Sequence, residues 1–139
     1  MSTRANIIVE DRYDRLFFYR HSDGYPEGVQ PTLDKFVEWL KSGVIRNNVQ
    51  QGAGWLIVLG AIEYGDIPEY EKESPLFDGA KTYGDISTIK EPIDWKVGAY
   101  ELTTGLHGDI EHLYVVNIER GEWREVHEDD WDKFKTERE

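Results

Sequence analysis

Ile110 to Glu119 alternates so regularly that the chain has little choice of conformation there. Ile110, His112, Tyr114, Val116 and Ile118 fall on one side of an extended backbone, and Glu111, Leu113, Val115, Asn117 and Glu119 on the other. A period of two carried by β-branched and aromatic residues predicts a strand. A lone strand leaves its amides and carbonyls unpaired, so the rest of the chain must supply a sheet. Near the N-terminus, Ala5 to Glu10 holds Ile7, Ile8 and Val9, and Arg15 to His21 is rich in aromatics. The polar turn Asp11 to Asp14 between them predicts a hairpin. Val97 to Thr104, Ile110 to Glu119 and Glu122 to His127 are expected to form an antiparallel meander, with Arg120-Gly121 as its tight turn.

Helices are expected between these strand groups. Leu33, Phe36, Val37 and Leu40 recur at helical spacing, with Asp34, Lys35, Glu38 and Lys41 off the stripe. Pro31 suits a first turn, with Thr32 beside the cap, and Gly43 suits the stop. A second helix is expected from Asn47 or Asn48 to about Glu63. Its centre, Trp55 to Leu59, is apolar all round; its length favours helix over buried strand, and Gly54 weakens it. Asp66 to Trp95 carries Pro68, Pro75 and Pro92 with Gly79 and Gly84, the composition of a long irregular loop at about 66–96. Asp129 to Arg138 predicts a short terminal helix docked through Trp131 and Phe134. The expectation is a single α+β domain over 1–139, an antiparallel sheet of about five strands with two main helices on one face and a short C-terminal helix.

Charge and composition narrow the function. Lys and Arg number 16 against 28 Asp and Glu, a formal net charge of −12. Such a chain repels nucleic acid and anionic membrane, so neither is an expected direct partner. It contains no cysteine, which excludes disulfides, thiolate catalysis and cysteine-held metals. The N-terminal residues lack the apolar run of a signal peptide, and the longest apolar stretch, Gly54 to Ile62, is too short to span a bilayer. The expected location is the cytoplasm.

The densest chemistry lies in Tyr19-Arg20-His21-Ser22-Asp23-Gly24-Tyr25-Pro26-Glu27-Gly28. Its ordinary explanation is a stiff strand-to-helix connector built on the Asp23-Gly24 turn, with Pro26 extending Tyr25. Its functional reading is a pocket rim, in which Arg20 neutralises a phosphate or carboxylate and Tyr19 or Tyr25 stacks on a ring. Leu106-His107-Gly108-Asp109, between two strands, reads either as a plain hairpin loop or as a second wall of the same pocket. Arg4, Tyr19, Arg20, His21, Asp23, Tyr25, His107 and Asp109 are therefore the candidate ligand-binding residues. His21, Asp23, His107, Asp109 and His112 carry metal-binding donors at spacings that match no metal signature. For His112 a core role is the simpler reading. No nucleophile elbow, Walker motif or Rossmann glycine fingerprint occurs, so no catalytic residue, metal or cofactor is assigned.

The start Met1-Ser2-Thr3-Arg4, the loop Tyr19 to Val29 and the run His107-Gly108-Asp109-Ile110-Glu111-His112-Leu113-Tyr114 together resemble a family of small, mostly uncharacterised phage and prophage proteins. Its members share an MSTR start, an HxDGYPEGV loop and an HGDIExLY strand. The resemblance covers both ends of the chain; Glu69 to Trp95 has no match in it. It implies a phage origin and a linked role for the two loops. Small accessory phage proteins are often antagonists of bacterial defence. The expectation that follows is a non-enzymatic protein sequestering a nucleotide-derived immune signal in the host cytoplasm. The alternative is an acidic nucleic-acid mimic bound to a basic host defence protein, and a metal-assisted hydrolase comes third. A homo-oligomer with its site between subunits is compatible with so small a domain.

Overall fold

The computed structural model describes residues 2–65 and 98–135. Strand β1 (Ala5–Glu10) lies at the centre of a five-stranded sheet, because it has two apolar faces to cover. Ile7, Ile8 and Val9 are all fully buried, although they alternate in direction. A strand apolar on both sides needs neighbours and layers on both sides. β2 (Arg15–Arg20) pairs antiparallel with it through the expected hairpin, Ile7 opposite Phe18. On its other side β4 (His112–Asn117) runs parallel, Ile7 opposite Tyr114.

The α+β class and the five strands agree with the sequence reading, but the sheet is mixed and the meander is absent. β3 (Glu101–Thr103) pairs with β2 at one edge, and β4 joins β1 two strands away. Of the three strands expected in the meander, β4 and β5 (Glu122–Glu125) alone form a hairpin with one another, turned at Gly121 with φ 65°. Turn-rich spacing suggests adjacency, but the doubly apolar β1 takes β4 as its second neighbour. The intervening helices provide the long crossover that a parallel pair requires.

Helix α1 spans Pro26–Ser42 and starts a turn earlier than expected, with Tyr25 as its N-cap and Pro26 in the first turn. Val29, Leu33, Phe36 and Leu40 form its buried stripe, which extends the periodic pattern backward and leaves Pro31 inside the helix on the exposed side. Gly43, at φ 77°, ends it. The second expected helix is broken at Gly54 into α2 (Val49–Gly52) and α3 (Trp55–Gly65). Asn48 makes no side-chain cap; the Val49 amide donates instead to the Asp11 carboxylate at 2.9 Å, so the β1–β2 turn caps α2.

The helices cover one face of the sheet. Ile7, Val9, Phe18, Tyr114 and Val116 pack there against Leu33, Phe36 and Leu56. On the opposite face Ile8, Phe17, Leu113 and Val115 are covered by Val126 and by a 3-10 helix, Glu128–Phe134, which inserts Phe134. Trp131 packs against this second cluster, so the terminal element docks through the two aromatics anticipated for it. The irregular loop expected at about 66–96 lies outside the described residues. Among the described residues no helix is long and apolar enough to cross a membrane.

Candidate functional site

The topology dictates where the two chemistry-rich loops meet. β3 sits beside β2 and β4 beside β1, so the connection Thr104 to Glu111 must cross the sheet. It does so over the face that carries Asn6 and Tyr19, a cross-strand pair. Asn6 is fully buried, between apolar Ala5 and Ile7. Its side-chain N–H donates to the Phe18 carbonyl at 2.9 Å, and its Oδ1 accepts from the His107 amide at 2.8 Å. The Arg4 carbonyl takes the Glu111 amide at 2.8 Å. One buried amide side chain thus pins the crossing turn to the sheet.

Tyr19 is the centre of the resulting cluster. Its ring stacks on His107 with centroids 3.7 Å apart and planes 12° apart, and His21 meets it edge-on at 4.7 Å. Its hydroxyl donates to both Asp109 oxygens, at 3.0 and 2.9 Å, across 90 residues of sequence. Burial, then the Asp109 carboxylate, push the Tyr19 phenol up to about 12, so it remains a donor across the physiological range. Arg4 Nε lies 3.4 Å from Asp109, in geometry too poor for a hydrogen bond, and that buried nitrogen has no other hydrogen-bond partner. His107 Nε2 and the Thr103 hydroxyl are 3.0 Å apart, and His21 Nε2 is 2.9 Å from Glu101.

Arg4, Tyr19, His21, His107 and Asp109 therefore come together; Arg20, Asp23 and Tyr25 do not join them. Alternation along β2 sends Arg20 to the opposite face, where it is fully buried. There its guanidinium forks onto both Glu63 oxygens, at 3.0 and 2.5 Å, donates to the Ser22 carbonyl at 2.7 Å and lies over the Tyr100 ring at 5.0 Å. Tyr100 and Thr32 share a hydroxyl hydrogen bond next to it. Arg20 offered as a phosphate ligand is thus corrected: its charge is engaged inside the protein. Asp23 adopts φ 57° in the turn into α1, and Tyr25, 41% exposed, begins that helix. Both serve the connector.

Beside the cluster a cleft of about 350 Å³ is lined by Leu106, His107, Gly108, Ile110, Trp131 and Lys135. Its walls are the crossing turn and the 3-10 helix. Sequence reading missed Asn6, Thr103, Glu101 and the Trp131 wall. Asn6 carried a signal, a polar residue set between apolar Ala5 and Ile7; the others are adjacent only through the fold. A second, polar hollow of about 490 Å³ lies among Glu10, Asp11, Arg12, Asn117, Glu119 and Arg120, where Arg12 forks onto Glu119 at 3.0 and 2.8 Å. Among the described residues no group of three or more His, Asp or Glu is placed to hold a metal ion. His112, read as a core histidine, is only partly buried and pairs with Glu125 at 2.7 Å, because β5 reaches only part of the β4 edge. Comparison with known proteins found no family model, no characterised protein and no solved structure that matches this chain.

Proposed function

We propose that this chain is a non-enzymatic binding protein that sequesters a small ring-bearing signal of nucleotide type in the cleft beside His107. The phage setting implied by the resemblance makes antagonism of bacterial antiviral defence its proposed use, inside the host cell. The observation that carries this reading is the Tyr19–His107 stack at 3.7 Å, held by Asp109 and standing at the rim of the cleft. A pre-stacked aromatic pair beside apolar walls suits a flat ligand and loses little freedom on binding.

Binding is favoured over turnover by the state of the titratable groups. Tyr19 is a poor base and nucleophile with its phenol near 12, and its hydroxyl already donates to Asp109. His107 and His21 face Thr103 and Glu101. The acidic mimic stands second. Asp130 and Asp132 of the 3-10 helix pair with Lys133 and Lys135, which lowers the local negative charge that such a mimic would present on that helix.

Thermal denaturation across a broad panel of cyclic nucleotides and ADP-ribose-type compounds tests the proposal. A bound compound is expected to raise the melting temperature by several degrees at saturating concentration, and His107→Ala to abolish that rise. A panel with no shift rejects sequestration. A tight, salt-sensitive complex with a basic host protein then transfers the role to the acidic mimic.

A further inference from the structure

We infer that the cleft recognises a neutral heteroaromatic ring, a nucleobase or nucleoside, and leaves any phosphate of the same molecule in solvent. This rests on the cleft being the binding site proposed above. The walls favour a ring. Leu106 and Ile110 on one side and Trp131 on the other are apolar, and the Trp131 indole N–H is already donated to the Val126 carbonyl at 3.1 Å. Tyr19 covers one face of the His107 imidazole, and Thr103 meets its Nε2. Among the described residues, what remains of that imidazole is its other face and its Nδ1 edge. A ligand ring laid there extends an existing stack, and Nδ1 adds one polar contact. A side chain built at Gly108 would meet nothing within 4 Å, so a ring edge has room to approach the backbone there. A volume of about 350 Å³ is at the small end for ligand sites, enough for one ring system with a sugar.

The cations speak against phosphate as the anchor. Arg4 faces Asp109 at 3.4 Å and Lys135 faces Asp132 at 2.9 Å. Arg15 is held by Glu10 at 2.8 Å while lying over the Phe134 ring at 4.9 Å. Arg20 is on the other face of the sheet with Glu63. A polyphosphate anchored here would have to share one of these cations with a carboxylate or displace it, and the chain around it carries a net charge of −12. A neutral ring meets neither obstacle.

The test uses the full chain and the four common ribonucleosides with their 5′-mono- and triphosphates. Titrations follow the Trp131 indole N–H and the His107 ring protons by NMR, at low and at physiological salt. At least one nucleoside is expected to move both signals, its monophosphate to bind within about threefold of it, and its triphosphate to bind more weakly. Lys135→Gln is expected to change affinity less than about threefold, and Leu106→Asp to weaken it more than about tenfold while the upfield His107 ring signals persist. A triphosphate binding more than about tenfold tighter than its nucleoside at the same two signals overturns the neutral-ring inference and leaves the binding reading standing. Silence of Trp131 and His107 toward every compound overturns both.

Discussion

Tyr19 and Arg20 are neighbours in sequence, yet the alternation of β2 sends them to opposite faces of the sheet. Tyr19 organises the candidate site, whereas Arg20 ties β2 to α3 through Glu63. Removing Arg20 leaves Glu63 without its partner and a void over Tyr100, so Arg20→Ala is expected to lower stability by about 3 kcal/mol in chemical denaturation. Arg20→Lys should recover only part of this, since an ammonium cannot reproduce the fork onto two oxygens. Tyr19 makes a separate prediction in alkali. Its folded phenol titrates near 12, above the ordinary value of 10.0, so the proton is held more tightly in the folded state. Its contribution is complete below pH about 10 and is lost as pH rises toward about 12. Buried Tyr100 and Tyr114 are shifted upward as well and add to the same decline. Stability measured across that range should fall, and Tyr19→Phe should fall less steeply.

At the level of elements, two helix starts depend on groups outside the helices. The Asp11 carboxylate caps α2 across the molecule and also accepts from the Tyr13 and Asp14 amides. The Val49 amide, foremost among these bonds, holds the Asp11 carboxyl below its usual range. The sign follows: a lowered folded value contributes stability above the unfolded value of about 4, and that stability is lost as pH falls through the folded one. Asp11→Ala should therefore melt lower than the parent at neutral pH, and the two melting curves should converge in acid. The start of α1 depends on Asp23, which precedes the helix and fits closely against Gly28. A Cβ there would lie 2.0 Å from the Asp23 carbonyl oxygen, in a turn that already places Asp23 at φ 57°. Gly28→Ala is expected to cost about 2 kcal/mol, read from the denaturation midpoint, because both clashing partners are backbone. Of these elements the α1 stripe was legible from periodicity, the β1–β2 hairpin from β-branched and aromatic residues around a polar turn, and the helical state of Trp55–Leu59 from the length of its apolar run. The earlier start of α1 was not, since Pro26 and Pro31 are both acceptable first-turn residues until Val29 is seen to be buried.

Across the whole molecule, the sheet carries a separate apolar cluster on each face, and the second is closed by the terminal 3-10 helix. Phe134 is its buried plug. Phe134→Ala is expected to destabilise by about 3 kcal/mol and to speed amide exchange around Leu113 and Val115 more than around Phe36. The same helix supplies the Trp131 wall of the cleft, so weakening it should also weaken any ligand bound there. What the amino-acid sequence determined by itself is local: which stretches alternate, which helical stripe is apolar, that cysteine chemistry is absent and that the chain is strongly acidic. These follow from side-chain type and spacing along the backbone. Pairing depends on burial summed over distant segments, and there tertiary structure decided. β1 is apolar on both faces and takes β4 as a parallel neighbour, which forces the Thr104 to Glu111 connection across Asn6 and Tyr19. That crossing brings Tyr19, His107 and Asp109 together, and the alternation of β2 keeps Arg20 away from them.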